Sequence, residues 1–333
     1  MKNNVLVLGA GAWGTAIANL IANNTGEQVS IWAYEKNVFN EINKKRKNSI
    51  FLPKIKLHNS IIAINNFKKS KAKYIFVAVP SQHVRLILES YFKTLSKEKV
   101  LKTYVILCSK GFDLNRKQLL SEAIENICLK KNILIISGPS FADLVAKNKP
   151  TAVTLAYSNI KIAKEIKVLL ANSNFRVYLN NDKIGVQVFG AIKNILAIAS
   201  GITDGLGYGE NARAAIISRG IKEIEKVSIA LGGKKRSTLG LSGIGDILLT
   251  CTSVTSRNYY FGKLIGKGHS ANEILKNKLT ITEGVENCRA LNRIKMKHGL
   301  ETPILDAVHK VLVKNYPIKK IVSNLLSRPS KSE

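Results

Sequence analysis

Val5-Leu6-Val7-Leu8-Gly9-Ala10-Gly11-Ala12-Trp13-Gly14 opens the chain, with a helical, apolar-rich stretch from Thr15 to Ala22 directly behind it. Gly9, Gly11 and Gly14 carry the G-x-G-x-x-G spacing between a strand and a helix. In that context glycines allow a tight turn and close approach of a pyrophosphate. Backbone N–H groups at the helix start then face the phosphates. A second apolar run, residues 29–33, ends just before Glu35, about 20 residues past the motif, where a carboxylate can hold a ribose 2′-hydroxyl. These features predict a dinucleotide-binding βαβ unit.

Beyond this unit, short β-branched runs at residues 74–79, 104–108, 133–136, 151–155 and 175–178 alternate with helical patterns, as in a parallel sheet wound with crossover helices. From Gly185 the pattern changes. Residues 186–200 and 211–231 show helical spacing, with Ile217, Ile221, Ile224 and Leu231 on one face and Gly232-Gly233 as a stop. The expected fold class is an α/β N-terminal Rossmann-type dinucleotide-binding domain, residues 1–184, followed by an all-α C-terminal substrate domain, residues 185–333.

A chain of 333 residues that is 45% hydrophobic is long enough for two cores. Apolar runs such as Ile133-Leu134-Ile135-Ile136 fall well short of the roughly 20 residues that cross a bilayer, so no membrane insertion is expected. The N-terminus does not resemble a signal peptide, and a soluble cytoplasmic protein is expected. Cys108, Cys128, Cys251 and Cys288 are scattered without a C-x-x-C pair, which suits reduced buried thiols and implies no metal site. The net charge of +30 invites a nucleic-acid partner. Its clusters, Lys44-Lys45-Arg46-Lys47 and Lys234-Lys235-Arg236, are short, and Lys-, Asn- and Ile-rich composition also follows from AT-biased coding. No nucleic-acid partner is therefore expected, and the charge attracts small anions.

In an open parallel sheet, ligands bind beyond the carboxyl ends of the strands. Pro80-Ser81, Ser109-Lys110-Gly111 and Ser137-Gly138-Pro139-Ser140-Phe141-Ala142 occupy such places. Lys110 reads equally as a surface cation or as a holder of an anionic substrate. In the second half, Gly190-Ala191-Ile192-Lys193-Asn194 sets one lysine in an apolar helical stretch, where an ammonium needs a partner. Asp246 is the only acid in the glycine-rich residues 240–250. It is either that partner or a helix cap.

Taken together, Gly9-Ala10-Gly11-Ala12-Trp13-Gly14-Thr15-Ala16, Ser109-Lys110-Gly111, Ser137 to Ala142, Gly190 to Asn194, Gly243-Ile244-Gly245-Asp246, Ser256-Arg257-Asn258 and Glu283-Gly284 resemble, in order and over nearly the whole chain, bacterial NAD(P)-dependent glycerol-3-phosphate dehydrogenase. The resemblance implies reversible hydride transfer between a nicotinamide and the dihydroxyacetone phosphate/sn-glycerol 3-phosphate pair, feeding phospholipid synthesis. It implies Lys193 as the acid/base; on chemical grounds Asp246 and the loop around it can orient the amine. Lys110, Gly138, Ser140, Asp246, Ser256, Arg257 and Asn258 are implied around a small phosphorylated three-carbon substrate. Ala12, Trp13, Tyr34, Lys110, Ala142, Arg257, Ile281 and Glu283 are implied against the cofactor, beside Gly9, Gly11, Gly14 and Glu35 of the fingerprint. Tyr34 stands where many relatives place His, and Lys36 follows Glu35, so either NAD or NADP is expected as cofactor. Competing expectations are another two-domain reductase, of β-hydroxyacid or ketopantoate type, and a dinucleotide-sensing or nucleic-acid-binding module without turnover. A homodimer, the commonest closed assembly, is the expected oligomer.

Overall fold

The computed structural model of the chain describes residues 4–276, 283–327 and 329. Among the described residues there are ten strands: β1 Val5–Leu8, β2 Val29–Trp32, β3 Ile61–Ile64, β4 Tyr74–Val77, β5 Tyr104–Leu107, β6 Phe112–Asp113, β7 Gln118–Leu119, β8 Ile133–Ser137, β9 Thr151–Ala156 and β10 Phe175–Asn180. The helices of the first half are α1 Ala12–Thr25, α2 Lys36–Lys45, α3 Ser81–Phe92, α4 Lys97–Lys102, α5 Leu120–Ala123, α6 Ala142–Ala146 and α7 Ile160–Leu170. Those of the second half are α8 Lys183–Gly205, α9 Gly209–Ala230, α10 Asp246–Thr252, α11 Arg257–Gly266, α12 Ala271–Lys276, α13 Glu283–Lys297, α14 Pro303–Lys314 and α15 Ile318–Leu326.

Two compact units result, Met1–Lys110 with Leu119–Val186, and Gly111–Gln118 with Gln187–Glu333. In the first, eight strands form one sheet in the order β10-β9-β8-β5-β4-β1-β2-β3. Side chains alternate across it, so each strand feeds two cores. Val5 and Val7 of β1 pack with Ile17 and Ile21 of α1 and Ile166 of α7. Leu6 and Leu8 join Val84 and Leu88 of α3 on the opposite face. Helices covering both faces account for the continuous apolar strands.

The sheet departs from the parallel expectation at one edge. β8 and β9 pair antiparallel, Ile136 opposite Leu155. Their connection carries only the five-residue α6, too little to cross the sheet face, so the chain turns back. β3 was not expected. Its four residues Ile61–Ile64 are too short for a clear period, and it is set by parallel pairing with β2, Val29 opposite Ile61.

Among the described residues, the regular elements of the second unit are helices apart from those in Gly111–Gln118, which the sequence places among the strands of the first unit. Among the described residues, α8 is the one helix long and apolar enough to cross a membrane, but 89% of its most apolar stretch is buried, as in a core helix. It packs closely on α11. A Cβ on Gly201 would lie 2.0 Å from Tyr259 O, and one on Gly262 2.2 Å from Ile198 O, so the two backbones touch where side chains are missing. Glu223 of α9 caps α14, accepting hydrogen bonds from the N–H groups of Ile304 at 2.9 Å and Leu305 at 3.1 Å.

Candidate active site

The first unit gathers its expected residues at the carboxyl ends of β1, β2, β5 and β8. In the loop after β1, Gly9 has φ +108° and a Cβ there would lie 2.9 Å from Ala78 O, while a Cβ on Gly14 would lie 2.0 Å from Gly9 O. Both glycines are therefore packing requirements. Gly11 differs: nothing lies within 4 Å of where its Cβ would be. The open space is at the N-cap of α1, whose first turn has no acid and whose cap supplies no side-chain hydrogen bond. Uncapped N–H groups beside a space that a side chain would fill fit a bound pyrophosphate. Trp13 adds a buried indole Nε1 with no protein partner.

The loop is braced by a residue that sequence reading missed. Asn48, fully buried, donates through Nδ2 to Ala10 O and to Thr15 Oγ1, each at 2.8 Å. It lies 38 residues from Ala10, beyond any local signal. After β2, Tyr34 is 82% exposed, Glu35 is the N-cap residue of α2, and its side chain makes no capping bond. Lys36 begins that helix.

Lys110 is half-buried beyond β5, next to Ser109, whose hydroxyl donates to Val79 O. Beyond β8, Gly138 has φ +142° and a Cβ there would lie 3.0 Å from Val153 Cα. Ser140 Oγ donates to Gly138 O at 2.9 Å, and Ala142 starts α6. Ile281, expected against the cofactor, lies outside the described residues.

In the second unit Lys193 and Asp246 meet. Nζ donates to Asp246 Oδ1 at 2.5 Å, with the two side chains 8% and 1% exposed. Nζ also donates to Thr250 Oγ1 at 2.9 Å. Thr250 was not among the expected residues, yet it lies four residues after Asp246 on α10, where side chains share a helix face. A buried ammonium needs this much compensation. Cys251 does not compete as an ion, since burial pushes its thiol well up.

Ser256 is the N-cap of α11, its Oγ accepting from Tyr259 N–H at 3.4 Å, and Arg257 and Asn258 fill the first turn. A cation in a first turn works against the helix dipole, whereas an anion there is favoured by dipole and guanidinium together. Asn258 Oδ1 accepts the N–H of Gly284 at 3.2 Å, which turns its amide N–H₂ toward other partners. Glu283 is the first residue of α13. Thus Arg257, Asn258 and Glu283 sit at two helix N-termini linked by one hydrogen bond.

A family profile described as the N-terminus of NAD-dependent glycerol-3-phosphate dehydrogenase matches residues 4–163, and its C-terminal counterpart matches residues 182–323. The chain belongs to the NAD-dependent glycerol-3-phosphate dehydrogenase family. It is 39% identical to a glycerol-3-phosphate dehydrogenase (NAD(P)+) of Bacillus subtilis over 329 residues, 97% of this chain and 94% of that one. Against the enzyme of the same description from a Geobacter species it is 38% identical over 338 residues, covering 100% and 99%. The crystal structure of glycerol-3-phosphate dehydrogenase from Coxiella burnetii superposes with a TM-score of 0.92 at 36% identity, covering 98% and 99%. As a member of this dehydrogenase family the chain is an NAD(P)-dependent oxidoreductase. That sets aside the ketopantoate-type reductase and the module without turnover.

Proposed function

We propose that the chain interconverts dihydroxyacetone phosphate and sn-glycerol 3-phosphate, and that Lys193 is its acid/base. The observation that carries this reading is the buried ammonium of Lys193 held by Asp246 and Thr250. Reduction of a ketone requires a proton at the carbonyl oxygen as negative charge develops there. The bound reduced nicotinamide supplies the hydride. Lys193 stabilises the forming alkoxide and passes it a proton: the new O–H bond forms as an Nζ–H bond breaks, leaving a neutral amine. In the reverse direction that amine takes the proton back. Asp246 keeps the ammonium charged and fixes its place.

Arg257, with Ser256 and Asn258 at the N-terminus of α11, is suited to the substrate phosphate, since a guanidinium offers a planar fork of donors. Gripping a group remote from the reacting carbon supplies orientation energy at the carbonyl. Lys110, Gly138 and Ser140 complete the proposed substrate contacts. The cofactor is assigned to the cradle at Gly11, and the four cysteines, all buried and free, suit a reducing cytoplasm. A homodimer and the absence of a nucleic-acid partner belong to the same reading.

The test is an absorbance assay at the reduced nicotinamide band, with NADH and NADPH in turn, against dihydroxyacetone phosphate and unphosphorylated dihydroxyacetone. Oxidation dependent on the phosphorylated ketone is expected. None with either cofactor sinks the proposal.

A further inference from the structure

We infer that Asn287 is a positioning residue for this reaction, holding the backbone beyond Lys110 and the helix of Lys193 in one register. The inference rests on the roles proposed above for those two lysines. Asn287 is fully buried on α13, one turn after Glu283. Its Oδ1 accepts the N–H of Phe112 at 3.2 Å, and its Nδ2 donates to Ala191 O at 3.1 Å. Phe112 is two residues beyond Lys110, and Ala191 two residues before Lys193. Partners 175 and 96 residues away in sequence thus meet on one amide.

Several features make this more than packing. Both partners are backbone groups, so the bonds fix main-chain position. An amide is also asymmetric. It needs an N–H on one side and a carbonyl on the other, so a slide of α8 or of the 111–118 segment against α13 breaks a bond. A buried amide with an unmet partner costs more than an apolar residue of similar size, which makes Asn a poor choice for bulk stability alone. Gly284 tightens the same contact, since a Cβ there would lie 3.0 Å from Asn194 O, next to Lys193. Misplacement of a reacting group by about 1 Å can cost about 10²-fold in rate.

The two bonds predict separable defects in the full-length enzyme. Asn287→Leu loses both. Its KM for dihydroxyacetone phosphate should rise about tenfold through Lys110, and its kcat fall about tenfold or more through Lys193. Asn287→Asp keeps an oxygen for Phe112 N–H but sets a second oxygen against Ala191 O. It should lower kcat by a similar factor while KM stays within about twofold. Steady-state constants are measured at saturating NADH and corrected for folded fraction by circular dichroism. If the Leu variant does not fold, Asn287→Ala, which adds no bulk, takes its place with the same expected split. Unchanged KM in the variant lacking both bonds, or equal KM losses in it and in the Asp variant, overturns the inference. A wild type inactive toward dihydroxyacetone phosphate overturns the functional proposal instead.

Discussion

The hydroxyl of Thr250 faces Lys193 as an acceptor, because its one proton is given to Asp246 O at 2.6 Å while Lys193 Nζ approaches at 2.9 Å. A hydroxyl has a single donor. Lys193 is therefore met by the Thr250 oxygen and the Asp246 carboxylate, two acceptors that both favour the ammonium. Thr250→Val, nearly isosteric, should lower kcat for dihydroxyacetone phosphate reduction about tenfold with little change in KM, the loss of one buried hydrogen bond to a charged group. Steady-state kinetics decide it, and a variant with wild-type kcat would show that the Thr250 oxygen is not needed to orient the amine.

Lys193→Met should be more severe. It keeps an unbranched stem in the apolar surroundings of α8 but removes the proton donor, and general acid catalysis is worth about 10² to 10⁴ in rate. Dinucleotide affinity, followed by NADH fluorescence, should stay near wild type, since Lys193 is not among the residues assigned to the cofactor. Near-normal turnover in the folded variant removes Lys193 from the mechanism.

Arg257→Ala should weaken the phosphorylated ketone selectively. Only that substrate has a group for the guanidinium, and one charge-assisted hydrogen bond is worth about 1.5 to 3 kcal/mol. Any residual rate with dihydroxyacetone should be almost unaffected. Equal losses with both ketones would place Arg257 on the cofactor or in the fold.

Glu223 predicts a pH-dependent stability. Burial pushes its carboxyl from the ordinary 4.5 up to about 7, with the N–H groups of Ile304 and Leu305 pulling the other way and Asp306 adding to the rise. A raised folded value means that the folded chain holds the proton more tightly. Its contribution is complete below about pH 4.5 and is lost as pH climbs through about 7. Urea unfolding of wild type and Glu223→Gln from pH 5 to 8 should show the wild type losing ground to the variant, by up to about 3 kcal/mol at roughly 1.4 kcal/mol per unit. A gap that stays constant or grows in the wild type's favour would mean that the two N–H bonds outweigh burial.

How far the site could be read from sequence depended on the range of each interaction. The β1 loop and α1 were legible because the glycine spacing and both flanking periods are local. Lys193 was recognisable as a cation in an apolar helix. Its pairing with Asp246, 53 residues on, stayed open until the fold closed it. Thr250 could have been found from its i,i+4 spacing to Asp246. Asn48 and Asn287 could not, because each is an amide bonded to backbone far away in sequence, and no short pattern encodes that. The antiparallel turn of β9 was hidden for a different reason: apolar strands buried on both faces look alike whichever way they run.

Cofactor preference turns on Glu35 and Lys36. Glu35 lies beyond β2 with extended backbone, φ −77° and ψ 123°, and its carboxylate is not spent on capping α2. An exposed, uncommitted acid there can accept hydrogen bonds from a ribose 2′-hydroxyl and repels a 2′-phosphate. Lys36, the first residue of α2, works in the opposite direction, because a cation at a helix N-terminus draws an anion that the dipole also favours. The net charge of +30 further attracts the more anionic cofactor. With opposed neighbours, both cofactors should be used, and Glu35→Ser should shift the kcat/KM ratio toward NADPH by about tenfold, the scale of one ionic contact at a partly exposed site. The ratio is measured for wild type and variant at one ionic strength, since screening by salt weakens both effects. A ratio that does not move would show that Glu35 points away from the ribose.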